Sequence, residues 1–178
     1  MPYAVNIRSE HASAASIRSL WDRCASLEQA PSMQSLQYPP HLTLAVYDDI
    51  APDALIDAFD AALGDLPPLT IRFERLGYFD APHAVILWAE PLLPGELLDF
   101  HQRIHQALGA ESCRPNYRPG TWMPHCSLAI SIDRSRREEA IALAGTSIEA
   151  FEVTFDVADC AFFHPVEVLH EKYLRAVA

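Results

Sequence analysis

The stretch Pro40-His41-Leu42-Thr43-Leu44-Ala45-Val46 decides the fold, because it returns as Pro124-His125-Cys126-Ser127-Leu128-Ala129-Ile130. Position for position, both read Pro, His, any residue, hydroxyl, Leu, Ala, β-branched. Alternate side chains of a strand share a face. His41, Thr43 and Ala45 are therefore expected on one face, with Leu42, Leu44 and Val46 on the other. The second copy divides likewise, His125, Ser127 and Ala129 against Cys126, Leu128 and Ile130. Each copy reads as a strand with an apolar back and a front bearing an imidazole beside a hydroxyl. A lone His-x-Thr is more often a half-exposed polar face than a catalytic pair. At ordinary residue frequencies a given His is followed by Ser or Thr and then Leu at this spacing about once in a hundred. Two such hits among eight His, both after Pro and before Ala, favour a functional pair.

Outward from the motifs, the elements repeat in order. Tyr3 to Arg8 alternates as a first strand. His11 to Gln29 carries Ile17, Leu20, Trp21, Cys24 and Leu27 at helical spacing. The polar run from Ser32 to Tyr38 reads as a loop, closed by Pro39-Pro40. After the first motif, a helix from Pro52 presents Leu55, Ile56, Phe59 and Leu63 and stops at Gly64. Leu69 to Leu76 then alternates as a strand. A loop from Gly77 to His83 leads to an apolar strand, Ala84 to Glu90. The next helix runs from Pro94 to Leu108, with Leu97, Leu98, His101, Ile104 and Leu108 on its stripe. Residues 110–124 lack periodicity and read as a loop before the second motif. Asp133 caps a helix to Ala144, and Phe151 to Val157 alternates again. From Cys160 the tail reads as a hairpin turning near His164-Pro165, with Val166 to Val177 returning.

Residues 3–76 and 84–157 thus share the order strand, helix, motif strand, helix, strand. The motif His falls 38 residues after Tyr3 and 41 after Ala84. This predicts a duplicated, bilobal α+β domain whose two motif strands line one central cleft, followed by a C-terminal hairpin.

The chain of 178 residues carries a formal charge of −11, with a single lysine, Lys172. Non-specific nucleic-acid binding rests on cationic contacts to phosphates, so a broad nucleic-acid-binding surface is not expected. No apolar run reaches the roughly 20 residues of a membrane helix, and the N-terminus lacks a signal-peptide layout. A cytoplasmic monomer is expected. Cys24, Cys113, Cys126 and Cys160 have no C-x-x-C spacing and read as reduced, buried thiols.

Histidine is the side chain best suited to moving protons near neutrality. Two facing imidazoles, one as base and one as acid, match in-line cleavage of a 2′,3′-cyclic phosphate by water. Thr43 and Ser127 would donate to the non-bridging oxygens, with no need of metal or cofactor. Which His plays which part is left open by the sequence.

The paired H-x-[T/S]-L motifs, one per half, resemble the 2H phosphoesterase superfamily. Its best-known branch is the bacterial 2′-5′ RNA ligase / cyclic-nucleotide phosphodiesterase family, with LigT-like architecture. The resemblance implies two lobes of mostly antiparallel sheet with outer helices around a cleft. It implies His41 and His125 as the catalytic pair, and Thr43 and Ser127 as phosphate-binding hydroxyls. The implied substrate is a nucleotide with a cyclic phosphate or a short RNA end. The acidic charge favours small substrates and hydrolysis over 2′-5′ ligation; a non-catalytic nucleotide or RNA-end binder is the third reading.

Arg114, Tyr117, Arg118 and Trp122, in the loop before His125, are secondary candidates for gripping a phosphate or stacking a base. Tyr38 holds the symmetric place before His41. His101 and His105 lie one helical turn apart, but Gln102 stands where a zinc-protease signature needs Glu, so surface exposure or lobe packing is expected.

Overall fold

The computed structural model describes residues 2–63 and 66–175. The stop expected at Gly64 and the strand end expected at Val177 lie outside them. Eight strands form two four-stranded antiparallel sheets. The first, in the order β2-β1-β7-β8, contains β1 (Tyr3–Arg8), β2 (His41–Tyr47), β7 (Val157–Phe162) and β8 (Glu167–Tyr173). The second, β5-β4-β3-β6, contains β3 (Leu69–Asp80), β4 (Val85–Pro91), β5 (Cys126–Ile132) and β6 (Phe151–Phe155).

Each motif strand is an edge strand beside the strand that opens its half, so the two sheets repeat one plan. The halves exchange their third strands: β3 pairs with β4 and β6, whereas β7 pairs with β1. The run from Phe151 to Val157, expected as one strand, is two. At Asp156 the chain leaves the second sheet for the first, its backbone bonding to Arg8 O and from Leu174 N.

The helices follow their apolar stripes. Helix α1 (Ala15–Ala25) buries Ile17, Leu20, Trp21 and Cys24, and α3 (Pro52–Leu63) buries Leu55, Phe59, Ala62 and Leu63. Helix α4 (Gly95–Leu108) buries Leu97, Phe100, His101, Ile104 and His105; Leu98, expected inward, is exposed. Helices α1 and α4 pack across the molecule, α1 on β5 and α4 on β2, while α3 packs on α4 and β7. The last helix, α5 (Arg137–Ala144), follows a 3₁₀ turn capped by the Asp133 side chain on Ser135 N.

Two expected loops prove ordered. Ser32–Ser35 forms a short helix, α2, whose start is capped by Glu28, itself held by a tertiary partner. The Glu28 carboxylate accepts from Ser32 N at 2.8 Å and also from Ile130 N and Ser131 N of edge strand β5. It thereby satisfies a helix start and an open sheet edge together. The other, Gly77 to Asp80, continues β3 opposite β4. A Cβ on Gly77 would lie 2.4 Å from the Trp88 ring, so glycine here makes room for an indole.

Candidate active site

Both motif strands carry an irregularity just after the hydroxyl residue. Val5 pairs with Ala45 but Asn6 with Thr43, leaving Leu44 without an opposite. In the same way Leu87 pairs with Ala129 but Trp88 with Ser127, skipping Leu128. A bulge shifts the phase of the strand. Consequently Val46 and Ile130, not Ala45 and Ala129, share the cleft with His41, Thr43, His125 and Ser127. The strict alternation expected from the motif holds only up to the hydroxyl.

His41 and His125 are held alike. The Nδ1 of His41 lies 3.0 Å from Pro39 O, and that of His125 lies 2.8 Å from Met123 O, each carbonyl two residues back. A carbonyl only accepts, so Nδ1 carries the proton and Nε2 is the free nitrogen of each neutral ring. The hydroxyl residues are held by reciprocal indoles: Trp122 Nε1 donates to Thr43 O and Trp21 Nε1 to Ser127 O, both at 3.0 Å. Thus the half containing each histidine is fixed by a tryptophan from the other. Burial pushes both imidazoles below their ordinary value, opposed by the bonds to Pro39 and Met123.

The surroundings of the two rings differ. Tyr38 lies edge-on to His41, its hydroxyl 2.5 Å from Asp159 Oδ2. Asp159 is fully buried and also accepts from Arg8 Nε at 2.7 Å and Asn6 Nδ2 at 3.1 Å. Arg8 reaches on to Glu10 and Glu171. Burial raises the Asp159 carboxyl against these donors, and Arg8 and Asn6 offer it only N–H, which a carboxylate satisfies. Beside His125 stand Phe79, edge-on with centroids 5.1 Å apart, and Trp88 stacked on Phe79.

The cleft has a volume of about 190 Å³, and its lining includes Tyr38, His41, Thr43, His125 and Ser127. A wider recess of about 610 Å³ continues from it past Tyr117, His125 and Ser127. None of the described residues lining the cleft is Lys or Arg.

Of the secondary candidates, Tyr38 and Tyr117 line the cleft; the others serve the framework. Arg114 pairs with Asp48, and Arg118 clamps the loop through Cys113 O and Glu111 O. Trp122 stacks on His101 with centroids 4.0 Å apart. His101 and His105 are buried in packing, both Nε2 atoms meeting Tyr117 O at 2.8 and 2.9 Å. Among the described residues no group of three or more His, Cys, Asp or Glu is placed to hold a metal ion. The four cysteines are free and buried. Among the described residues no helix is long and apolar enough to cross a membrane.

Sequence reading missed Asn6, Arg8 and Asp159, and left His164 and Phe163 unassigned although both line the cleft. The one available signal was two polar residues, Asn6 and Arg8, on a strand that is buried at both positions.

Two antiparallel sheets with outer helices, presenting matched His-x-hydroxyl edges to one cleft, define a duplicated α+β fold with a paired-histidine site. The family model of the 2′-5′ RNA ligase superfamily matches residues 10–167, and the chain belongs to that family. Among solved structures it is similar to E. coli LigT in apo form, with 14% identity, TM-score 0.63 and 99% of each chain covered. It is also similar to TT0787 of Thermus thermophilus, with 14% identity, TM-score 0.62 and 98% of each chain covered. E. coli LigT complexed with 3′-AMP gives 14% identity and TM-score 0.60, covering 98% of this chain and 99% of that one. No curated protein matches this chain.

Proposed function

We propose that the chain acts, as one two-lobed domain, as a metal-independent phosphoesterase on a 2′,3′-cyclic phosphate or 2′-5′ phosphodiester of a nucleotide or short RNA end. The observation that carries this reading is the matched pinning of His41 and His125 by Nδ1, which leaves two Nε2 atoms for one cleft. One imidazole takes a proton from the nucleophile and the other gives one to the departing ribose oxygen, on opposite sides of phosphorus. Ser127 Oγ, with no hydrogen-bond partner among the described residues, is free to donate to a non-bridging oxygen. Membership in the 2′-5′ RNA ligase superfamily supports the general chemistry. Complexes of E. coli LigT with 3′-AMP and ATP support a nucleotide-sized ligand here, and its complex with phosphate supports a phosphate group as the part recognised. The cleft's volume and lack of lining cations favour a small substrate over a long polyanion.

The test is hydrolysis of 2′,3′-cyclic nucleotides and of a short RNA ending in a cyclic phosphate, in EDTA. His41→Ala and His125→Ala should each lose about 10²–10⁴-fold while keeping the wild-type circular dichroism. Activity indifferent to both substitutions would refute the paired-histidine mechanism. A wild type that joins 2′-5′ ends but does not hydrolyse would select the ligase reading; tight nucleotide binding without either would select the binder.

A further inference from the structure

The two halves of the cleft are built on one plan but furnished differently. In the first sheet Thr43 stands opposite Asn6, and Asn6 opposite Asp159. In the second, Ser127 stands opposite Trp88, and Trp88 opposite Gly77. The two places that hold an amide and a carboxylate behind His41 therefore hold an indole and no side chain behind His125.

The polar half has a fixed direction. Asp159, as a carboxylate, only accepts, so the Asn6 amide turns its NH₂ toward it. Asn6 Oδ1 then faces Thr43, and Thr43 Oγ1 donates to it at 2.8 Å. The Tyr38 phenol, its titration pushed upward by burial and next by the Asp159 charge, stays a donor to the same carboxylate. The Thr43 proton is thus committed to the interior, and lone pairs of its oxygen remain for the cleft. The expected donation from Thr43 to phosphate does not fit this arrangement; donation from Ser127 does.

We propose that Asn6 and Asp159 are positioning residues that make Thr43 a hydrogen-bond acceptor in the cleft, so that His41 is the base and His125 the acid in hydrolysis. This assignment rests on the phosphoesterase reading above. The attacking water gives one proton to His41 Nε2 and aims the other at Thr43 Oγ1, leaving a lone pair for phosphorus. Its oxygen forms the new P–O bond as the opposite ring P–O bond breaks. The cycle starts with His125 as the imidazolium, its Nδ1–H on Met123 O and a second proton on Nε2; the departing ribose oxygen takes that Nε2 proton, and Ser127 holds a non-bridging oxygen. One water has been added to give a phosphate monoester; His41 is left protonated and His125 neutral, and exchange with solvent resets both. The Asp159 charge also favours the His41 imidazolium that forms, in opposition to burial. No charged side chain takes the equivalent place behind Trp88, because Gly77 stands there.

The experiment compares a 2′,3′-cyclic nucleotide with its analogue in which sulfur replaces the departing ribose oxygen. A thiolate leaves without being protonated, so loss of the acid is forgiven and loss of the base is not. His125→Ala should fall about 10²–10⁴-fold on the oxygen substrate and recover to within about tenfold of wild type on the sulfur one. His41→Ala should be impaired on both, and the reverse pattern overturns the assignment. A wild type idle on the oxygen substrate instead refutes the phosphoesterase reading itself. For the positioning pair, Asp159→Asn should lower kcat and move one limb of the pH–rate profile to lower pH. Asn6→Ala, which leaves the Arg8–Asp159 pair intact, should lower kcat with the limbs in place and supplies the test if Asp159→Asn does not fold. Variants that alter only the melting temperature, with kcat and both limbs as in wild type, would overturn the positioning role.

Discussion

Gly77→Ala isolates what the aromatic half of the site contributes. The added Cβ would come 2.4 Å from Cζ2 and 2.5 Å from Cη2 of Trp88, well inside any van der Waals contact. The indole has little room to retreat, being buried and stacked on Phe79 with centroids 5.2 Å apart. No positive φ attends Gly77, so steric crowding and not backbone strain sets the cost. Overpacking of this kind costs about 1–3 kcal/mol. In a domain of this size each kcal/mol lowers Tm by roughly 2–4 °C. The displaced indole would press on Phe79, whose ring stands edge-on to His125, so kcat should fall as well. Thermal denaturation followed by circular dichroism, paired with cyclic-phosphate kinetics, measures both effects. A variant as stable as wild type, with unaltered kcat, would refute the claim that this glycine exists to admit Trp88.

Three further outcomes follow from the same geometry. Burial holds His41 and His125 below their ordinary pKa in the free protein, so the kcat/KM profile should peak below about pH 6.5; a maximum on the alkaline side would contradict it. His101, pushed down to about 4 chiefly by burial, stays neutral in the fold where the unfolded chain would already be protonated. The His101 contribution to stability should therefore be constant above about pH 6.5 and decline from there toward about 4, at up to roughly 1.4 kcal/mol per pH unit, with His41 and His125 steepening the fall in the same direction, checked by urea midpoints across that window. Trp21→Phe and Trp122→Phe each remove one indole N–H from a motif carbonyl and should each cost about 1 kcal/mol of unfolding free energy in urea titrations. Unchanged midpoints would mean those carbonyls find another donor.

What the sequence disclosed is what repeats locally. The stripes of α1 and α3 and the two motif strands, as far as their hydroxyl residues, depend on side chains a few residues apart and fold as their spacing implies. What it concealed depends on partners far along the chain. Helix α2 has no periodicity of its own; it exists because Glu28 caps it while also holding the edge of β5, 102 residues away at Ile130. The bulges at Leu44 and Leu128 are invisible in a pattern that alternates without a break, yet they choose Val46 and Ile130 for the cleft.

The Asn6–Asp159 bond spans 153 residues and joins a polar residue on the first strand to one in the C-terminal segment, so only strand pairing brings the two together. That pairing also exposes the difference between the copies. A duplicated motif suggests two interchangeable halves, but proton transfer in one direction needs a donor on one side of phosphorus and an acceptor on the other. Two identical half-sites would have to acquire that difference from the substrate alone. Here it is built in beneath the motif: a carboxylate and amide fix the hydroxyl of one half, and a glycine and an indole leave the other half free. On the proposed assignment, the sequence motif marks where the chemistry happens, while the residues opposite it across the sheet set its direction.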